Sequence, residues 1–504
     1  MNCSPCGSGS NYTSISSTGC VTLCGAGIST IVMNTVTVSI PSTINVSISS
    51  IGVSTLGSVS VTGNTYDTFS RLITATPTTM LTAHTAFTPM FQILGYTSTG
   101  SGSIVCDLSN SIVLMSTITT AGRSIRQTLE YQLYEPGKAH QAIMTWTPQF
   151  SGTFDDSVAV RCGIYDDYRD KNTPSGAMGT GAASAIYVSS INGGLGVETN
   201  QYSMGHYFEL SGNSWFVVER ANSSNNIANV TRVAQSNWSI DTLNSNFPPN
   251  PSGVQLSKSD DQIFFIERQW LGVGLVRLGI FNGGKQIIAH QFQNRKIKQP
   301  YTHLNKLPLR YEIEKVEGGS SNAATTGSMC MSSQIDGEYT PIGVTFSLPP
   351  SIIQTTTKLD TVLRPIILIR LQQQYCRATV KIKAVDLFGG ASGSGVFTFL
   401  KNHTITGTIT WVNHPDSRSM VQYANFAGNG NTIPTNTVSG GQCMQTGFYT
   451  AKSAQTMNQS VSDLIAATSI CSDIKGVPDV FCVAMSGFAG NELVNACPQW
   501  LEII

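Results

Sequence analysis

Four cysteines near the start of the chain have the spacing that comes closest to a metal-binding pattern. Cys3 and Cys6 form a C-x2-C pair, and Cys20 and Cys24 form a C-x3-C pair. Two close thiolate pairs can supply the four ligands of a tetrahedral Zn²⁺ ion, the only cofactor that the sequence suggests. The surrounding Gly, Ser and Thr include no Lys or Arg that would stabilise thiolates, so disulfides or free thiols are the alternatives.

Other patterns that accompany catalysis are weak. The sequence has no G-x-S-x-G nucleophile elbow and no G-x-x-x-x-G-K-[ST] phosphate loop. The seven histidines are dispersed, and we interpret them as packed or surface residues. Asp166, Asp167 and Asp170 cluster as in a calcium loop but lack its glycine and spacing, so we interpret them as a solvated turn. We therefore predict that the protein is not an enzyme.

Composition narrows the class of protein. The 504 residues include 29 Lys and Arg and 29 Asp and Glu, so the formal net charge is zero and only 12% of residues are charged. A neutral chain lacks the positive field that releases counterions, so we predict no nucleic-acid partner. No apolar stretch is long enough to span a membrane, and we expect no cleaved signal peptide. Low charge with abundant Ser, Thr and Gly is typical of β-rich extracellular or virion surfaces.

The hydrophobic pattern predicts an all-β protein. Residues 28–65 alternate β-branched and small polar residues in short, similar units, which predicts a β-repeat segment. From about residue 66, apolar runs of strand length recur between polar turns. Many short strands without helical periodicity predict jelly-roll or β-sandwich domains. The best examples of these strands are at 111–115, 142–146, 214–218 and 262–266.

These patterns predict four segments. They are a Cys/Gly/Ser-rich N-terminal segment (1–27), a β-repeat segment for oligomerisation and attachment (28–65), a main β-sandwich region (66–395) and a C-terminal β domain (396–504). The last boundary follows a glycine- and serine-rich run at 389–395, which we interpret as a flexible junction or a long hairpin loop. After it, residues 404–412 resume strand alternation, and residues 459–470 are a weak helix candidate.

Two dense stretches resemble a known family. One runs from Gln262 to Gly279 and contains Gln269-Trp270-Leu271-Gly272-Val273-Gly274. The other runs from Leu307 to Glu314 and begins Leu307-Pro308-Leu309-Arg310-Tyr311-Glu312-Ile313. They resemble virion structural proteins, capsid-associated or fibre-like, of tailed phages and large DNA viruses of algae. Weaker matches follow in the family's order at 68–72, 126–128, 134–138, 235–241, 462–463 and 500–502. The resemblance covers about residues 66–504, but His290-Gln291-Phe292 departs from the family's "HEF".

The resemblance implies a non-enzymatic structural component of a virus particle that assembles through β-rich contacts. Its partners would be sister chains and other virion or capsid proteins, and its location would be the virion. Because residues 28–65 are short repeats that one chain cannot bury alone, we expect a homotrimer, by analogy with virion fibres. We interpret five motif residues as specifying the core rather than forming a site, with Arg310 and Glu312 on one strand face and able to pair with Arg277 across strands. The five are Trp270, Arg277, Arg310, Tyr311 and Glu312.

Two other functions remain open. A receptor- or glycan-binding fibre module would bind a host surface glycan, and exposed aromatic side chains in loops would favour it. A polysaccharide-degrading spike would need a pair of carboxylates roughly 5–10 Å apart in a cleft.

Overall fold

A computed structural model describes most of the chain from residue 76 onward. The chain divides into two compact units, Met1–Val61 and Thr62–Ile504. The four N-terminal cysteines and the predicted β-repeat at 28–65 lie outside the described residues. The described residues are 76–91, 93–167, 204–221, 229–295, 300–302, 305–316, 323–339, 342–353, 356–390, 394–426, 432–450, 469–490 and 492–503, with short strands at 13–15, 21–23, 187–188, 197–198 and 455–457.

The first seventeen strands belong to the N-terminal pair and to the region up to residue 339. In chain order they are β1 (Thr13–Ile15), β2 (Val21–Leu23), β3 (Thr78–Ala83), β4 (Leu94–Asp107), β5 (Ile112–Thr128), β6 (His140–Gly152), β7 (Val158–Asp166), β8 (Tyr187–Val188), β9 (Val197–Glu198), β10 (Met204–Ser211), β11 (Ser214–Ala221), β12 (Asn229–Ala234), β13 (Gln262–Arg268), β14 (Leu275–Asn282), β15 (Lys285–Gln293), β16 (Leu309–Lys315) and β17 (Ala324–Ile335).

The remaining strands follow residue 342. They are β18 (Val344–Ser347), β19 (Thr357–Leu359), β20 (Arg364–Leu371), β21 (Thr379–Gly389), β22 (Gly395–Lys401), β23 (Thr404–Ile405), β24 (Val412–Asn413), β25 (Val421–Asn425), β26 (Val438–Ser439), β27 (Gln442–Tyr449), β28 (Gln455–Met457), β29 (Ser469–Ile470), β30 (Val480–Gly487) and β31 (Glu492–Ile503). The helices of the described residues are short: α1 (Pro350–Ile353) and two 3-10 turns, Gln235–Asn237 and Gln373–Tyr375.

Thirteen strands between residues 78 and 335 form one antiparallel sheet that folds back on itself. Its order is β12-β11-β10-β7-β16-β5-β17-β6-β13-β14-β15, with β3 beside β17 and β4 beside β5. In a flat sheet, the six steps from β10 to β13 would span about 30 Å at roughly 4.8 Å per step. The rings of Phe208 in β10 and Phe264 in β13 are instead 4.9 Å apart. The sheet therefore curls so that its two halves face each other, and we call this region (76–339) the main sandwich.

Alternating side chains fill the core of the main sandwich. Along β6, Ala142, Met144 and Trp146 are buried in the core, whereas Gln141 and the other intervening residues face outward. The Trp146 indole still finds a polar partner, because its Nε1 donates to a threonine hydroxyl of β17 at 2.7 Å. The same alternation that predicts the strand therefore decides which residues remain available on the outside.

The C-terminal residues form a second sandwich (342–503) from two sheets. One has the order β18-β31-β21-β28, with β19 beside β31 and β29 beside β21, and the other has the order β24-β25-β20-β30-β22-β27. Trp500 of β31, Phe397 of β22 and Val483 of β30 belong to one buried cluster, so the two sheets share one core. This confirms the predicted all-β, jelly-roll or β-sandwich class.

The predicted boundary at residue 395 does not coincide with a boundary between sheets. β20 pairs with β30, and β21 pairs with β31, so strands on both sides of residue 395 share each sheet. The glycine- and serine-rich run at 389–395 joins β21 of one sheet to β22 of the other, and is not a hairpin within a sheet. The division into domains stays a prediction.

Two local predictions need correction or lie partly outside the description. Residues 404–412 are not one strand, because β23 ends at Ile405 and Gly407 has a φ of +87° that interrupts an extended chain. Of the helix candidate at 459–470, the described residues, Ser469–Ile470, form strand β29.

Candidate functional site

The motif residues Arg310, Tyr311 and Glu312 lie on β16, in the middle of the main sheet. Tyr311 points into the core and donates its hydroxyl to the carbonyl oxygen of Cys330 at 2.8 Å. Arg310 and Glu312 lie on the opposite face, where Arg310 Nη2 is 2.7 Å from Glu312 Oε2. All three motif side chains are buried, so both faces of this strand are covered.

Glu312 is the centre of a buried charge network. Arg123 Nε and Arg161 Nη1 each lie 2.8 Å from its Oε1, and the Tyr165 hydroxyl donates to its Oε2 at 3.2 Å. Antiparallel register places Arg161 directly opposite both Glu312 and Glu209, and its Nε lies 2.7 Å from Glu209 Oε2. The network therefore crosses the sheet from β5 to β10.

The arginines keep the carboxylates of this network ionised. Burial alone would raise the pKa of Glu312, but the charges of Arg123, Arg310 and Arg161 hold it well below its usual range. Burial likewise opposes the charge of Arg161, yet the surrounding carboxylates raise its pKa well above the usual value. Glu312 and Arg161 therefore both stay charged near neutral pH.

The interpretation of Asp166 and Asp167 as a solvated turn is wrong. Both are fully buried. Asp166 Oδ2 lies 2.5 Å from Arg377 Nε, and Asp167 Oδ2 lies 2.7 Å from Arg123 Nη2. A buried carboxylate needs such partners because its desolvation is costly. The sequence could not reveal them, since Arg123 and Arg377 are remote in the chain. Asp170 lies outside the described residues.

Trp270 and Arg277 lie apart from the charge network. Trp270 is in the turn after β13 and donates its indole N–H to Thr302 Oγ1 at 2.7 Å. Arg277 is on β14, and its Nη1 is 3.7 Å from Glu267 Oε2 on β13. The predicted cross-strand pairing of Arg277 with Arg310 and Glu312 does not occur between neighbouring strands, because β14 and β16 are not adjacent in the sheet.

A row of polar side chains crosses five neighbouring strands on the outer face of the main sheet. The register pairs each residue directly with the next, which places all five side chains on one face. We call this set the polar row. It consists, from β17 to β15, of Gln334, Gln141, Glu267, Arg277 and Gln291.

Four members of the polar row line a cavity of about 100 Å³. Gln286 and Asp336 add polar groups to its wall, and Asp336 Oδ2 accepts a hydrogen bond from the backbone N–H of Ala139 at 3.3 Å. Among the described residues, the amide groups of Gln141 and Gln334 have no hydrogen-bond partner in the protein. The apolar part of the wall consists of Pro77, Ala139, Ile288 and Ile335.

Several large apolar side chains are exposed. Phe87 and Phe91 lie in the loop between β3 and β4, with 85% and 64% of their surfaces exposed. In the C-terminal sandwich, Phe448 and Phe488 are 69% and 59% exposed, and their ring centroids are 6.0 Å apart. Contiguous exposed apolar patches often mark surfaces that contact other molecules, whereas single exposed apolar residues are common.

No metal site is found among the residues that the structure describes. They contain no group of three or more His, Cys, Asp and Glu side chains that could hold an ion. The proposed zinc ligands Cys3, Cys6, Cys20 and Cys24 are not among them, so the zinc site stays a prediction. No helix in the described part of the chain is long and apolar enough to cross a membrane.

Comparisons with known proteins leave the family undetermined. No family model matches the chain, and no curated protein matches it. The endo-β-1,4-glucuronan lyase of Trichoderma reesei is 9% identical, with 52% of this chain and 96% of that chain covered and a TM-score of 0.31. The metal-free carbohydrate recognition domain of Emp46p is 9% identical, with 49% of this chain and 89% of that chain covered and a TM-score of 0.27. The β-glucanase of Bacillus licheniformis is 8% identical, with 53% of this chain and 100% of that chain covered and a TM-score of 0.29. Similarity at these scores carries no argument about function.

Sequence reasoning missed the polar row and its cavity. Alternation does predict that Arg277 faces away from its apolar neighbours in β14, and that Gln141 does so in β6. It does not reveal which residues lie opposite each other, because register is fixed by pairing between strands remote in the chain. The cavity therefore becomes visible only in the folded molecule.

Proposed function

We propose that this protein is a glycan-binding module carried on the surface of a virus particle. The observation that supports this function is the polar row with its cavity on the outer face of the main sheet. A sugar ring presents several hydroxyl groups, each of which both donates and accepts hydrogen bonds. Glutamine amides, carboxylates and a guanidinium match those groups, while the partly exposed Ile288 offers an apolar surface to the C–H face of the ring.

The exposed loop aromatics add support for a binding module. Phe87 and Phe91 project from the loop before β4, in the same sandwich as the polar row. Exposed aromatic side chains in loops favour a binding module over a purely structural subunit. The assignment to a virus particle rests on the sequence resemblance and on the low-charge composition.

A glycan array probed with the full-length protein tests this function. We expect selective binding to a subset of glycans, and recovery of the bound glycan intact by chromatography. Absence of binding to every glycan at micromolar protein contradicts the proposal. Because Glu267 and Asp336 both line the cavity, cleavage of the bound glycan would indicate the polysaccharide-degrading alternative instead.

A second candidate is a purely structural virion component, capsid-associated or fibre-like. The adjacent, exposed Phe448 and Phe488 favour it, because an apolar pair on a surface is typical of a protein contact. Quantitative mass spectrometry of purified virus particles tests it. Many copies per particle are expected, and absence from particles contradicts both this candidate and the placement of the glycan-binding module on a virion.

A further inference from the structure

We propose that the outer face of the C-terminal sandwich binds the carboxylate of an acidic sugar at Arg370. This inference rests on the proposed glycan-binding function, and it adds a second site and the charge class of its ligand. It is carried by three observations: Arg370 lacks an acidic partner among the described residues, its guanidinium is held in place, and the groups beside it are hydrogen-bond donors.

Arg370 lies on the outer face of β20. Its neighbours Ile369 and Leu371 both belong to the core that the two sheets share, so alternation directs Arg370 away from that core. Arg370 and the nearby Trp411 are both partly exposed. A ligand in solution can therefore reach both side chains.

Arg370 differs from the other arginines of this sandwich in its contacts. Arg364, Arg377 and Arg418 each lie 2.5–2.6 Å from an aspartate oxygen. Among the described residues, the partners of Arg370 are instead a glutamine and a tryptophan. Burial lowers the pKa of Arg370 from its usual value, but an arginine stays protonated in proteins. Its charge, which no described carboxylate neutralises, is therefore available to an anionic ligand.

Two contacts hold the Arg370 guanidinium in a defined orientation. Its Cζ lies 4.0 Å from the centroid of the Trp411 ring, which is within the range of a cation–π interaction. Its Nε donates to Gln422 Oε1 at 3.1 Å, because the register places Gln422 of β25 directly opposite Arg370. A side chain that is already ordered loses little freedom when it binds a ligand.

The groups that remain for a ligand at this site are donors. Gln422 Nε2 donates to Asn413 Oδ1 at 2.9 Å, so the exposed Asn413 is left with its NH₂ group. Nη1 and Nη2 of Arg370 have no hydrogen-bond partner among the described residues. These two nitrogens form a fork that matches the two oxygens of a carboxylate. The arrangement therefore favours an anion over a neutral group.

A uronic acid suits this site better than a carboxylate alone. It carries a carboxylate and a hydroxyl group on adjacent ring carbons, so the carboxylate can bind Arg370 while the hydroxyl accepts a hydrogen bond from the Asn413 NH₂ group. The partly exposed Trp411 adds an apolar surface for the C–H groups of the ring. The ligand class is therefore a glycan that carries an acidic sugar.

Calorimetric titration of the full-length protein with three small probes tests the inference. Methyl glucuronide has the ring and the carboxylate, methyl glucoside has the ring without the charge, and acetate has the carboxylate without the ring. We expect methyl glucuronide to bind about tenfold or more tightly than either of the others. Equal affinity for methyl glucoside overturns the charge selection, and equal affinity for acetate overturns the assignment to a sugar.

Substitutions at the site and a matched control locate the binding. Arg370→Gln should remove the preference for methyl glucuronide, and Arg370→Lys should keep only part of it, because an ammonium group lacks the fork. Asn413→Ala, at an exposed position, should weaken methyl glucuronide binding about threefold and leave the unfolding midpoint unchanged. Arg418→Gln is the control, since Arg418 is 82% exposed and already paired with an aspartate, and it should leave binding unchanged.

The outcomes separate this inference from the proposed function. A preference for methyl glucuronide that survives in Arg370→Gln overturns the site and leaves the proposed function standing. Array binding to neutral glycans without affinity for methyl glucuronide overturns the inference alone. Absence of binding to every glycan on the array overturns the proposed function, and the inference with it.

Discussion

At the scale of single residues, polar groups of the main sandwich are of two kinds. The Glu312 carboxylate accepts hydrogen bonds from three arginines and a tyrosine, and it is fully buried. Gln141 and Gln334 are partly exposed and have no protein partner among the described residues. The first kind is committed to the fold, and the second is free for a ligand. This contrast is why we place binding at the polar row and not at the more conspicuous charged motif.

The substitution Glu312→Gln tests the structural role of the charge network. The amide is nearly the same size as the carboxylate, but it leaves three buried guanidinium groups without their shared anion. We expect a loss of about 3–5 kcal/mol in the free energy of unfolding, measured by denaturant titration. Asp416→Asn is the control, because the partner of Asp416 is Arg418, which is 82% exposed, and it should have no measurable effect. A loss below about 1 kcal/mol for Glu312→Gln would contradict the role of the network.

Buried histidines should make the protein less stable in mild acid. Burial lowers the pKa of His290 to about 4, against an opposing effect of Glu219, while an unfolded histidine titrates near about 6.5. The unfolded chain therefore takes up a proton that the folded chain refuses, and stability falls as the pH drops from about 6.5 to 4. His290→Gln should reduce this loss by about 1–2 kcal/mol.

Unfolding free energies at pH 7 and pH 4.5 measure the effect of this histidine. His84→Gln serves as the control because His84 is exposed, and it should leave the pH dependence unchanged. An equal pH dependence in the wild type and in His290→Gln would show that this histidine does not contribute.

At the scale of secondary structure elements, the turn between β13 and β14 shows what the sequence motif encodes. A Cβ atom on Gly274 would lie 1.5 Å from the carbonyl oxygen of Gln269, and Gly272 has a φ of +76°. The motif glycines therefore allow the chain to reverse tightly, and so bring Arg277 opposite Glu267. The polar row depends on this register.

Gly274→Ala should disrupt that turn. Because the new methyl group meets backbone and not a movable side chain, we expect a loss of about 2 kcal/mol or more in the free energy of unfolding, together with weaker glycan binding. Gly490→Ala is the matched control, since no atom lies within 4 Å of its added Cβ, and it should be close to neutral. Equal stability of the two variants would contradict the packing argument.

Strands were predicted correctly at several runs of apolar residues. The prediction failed where a glycine with a positive φ interrupts the extended backbone. The apolar runs at 142–146 and 262–266 predict strands, and β6 and β13 contain them. The run at 404–412 alternates equally well, but Gly407 interrupts it. Register, and with it the polar row, depends on contacts between remote strands, which period and composition do not specify.

At the scale of the whole molecule, ionic contacts join the two sandwiches. Asp166 of β7 bonds Arg377 before β21, and Glu130 Oε1 lies 3.3 Å from Lys381 Nζ. Lys306 Nζ also donates to the carbonyl oxygen of Ile503 at 2.6 Å. These buried or partly buried contacts should make the sandwiches unfold together.

A double-mutant cycle measures the coupling between the sandwiches. Arg377→Met removes the guanidinium group that lies beside the buried Asp166 carboxylate, so we expect a loss of about 3 kcal/mol or more in stability. Asp166→Asn combined with Arg377→Met should cost at least about 2 kcal/mol less than the two separate losses added together. Additive losses would show that the contact does not couple the two sandwiches.

The last prediction concerns the division of labour along the chain. Residues 28–65 alternate β-branched and polar residues but contain few large apolar ones, so we expect them to associate with sister chains or with another virion protein. The region from residue 76 onward has its own buried cores, and residues 1–61 form a separate unit. Deleting residues 1–65 should therefore leave a β-rich protein that keeps its glycan binding and unfolding midpoint, measured by calorimetry and circular dichroism.

Light scattering should show the full-length chain as a trimer and the truncated chain as a monomer. A truncated chain that is still trimeric would place assembly in the sandwiches, where the exposed Phe448 and Phe488 would be the first residues to substitute.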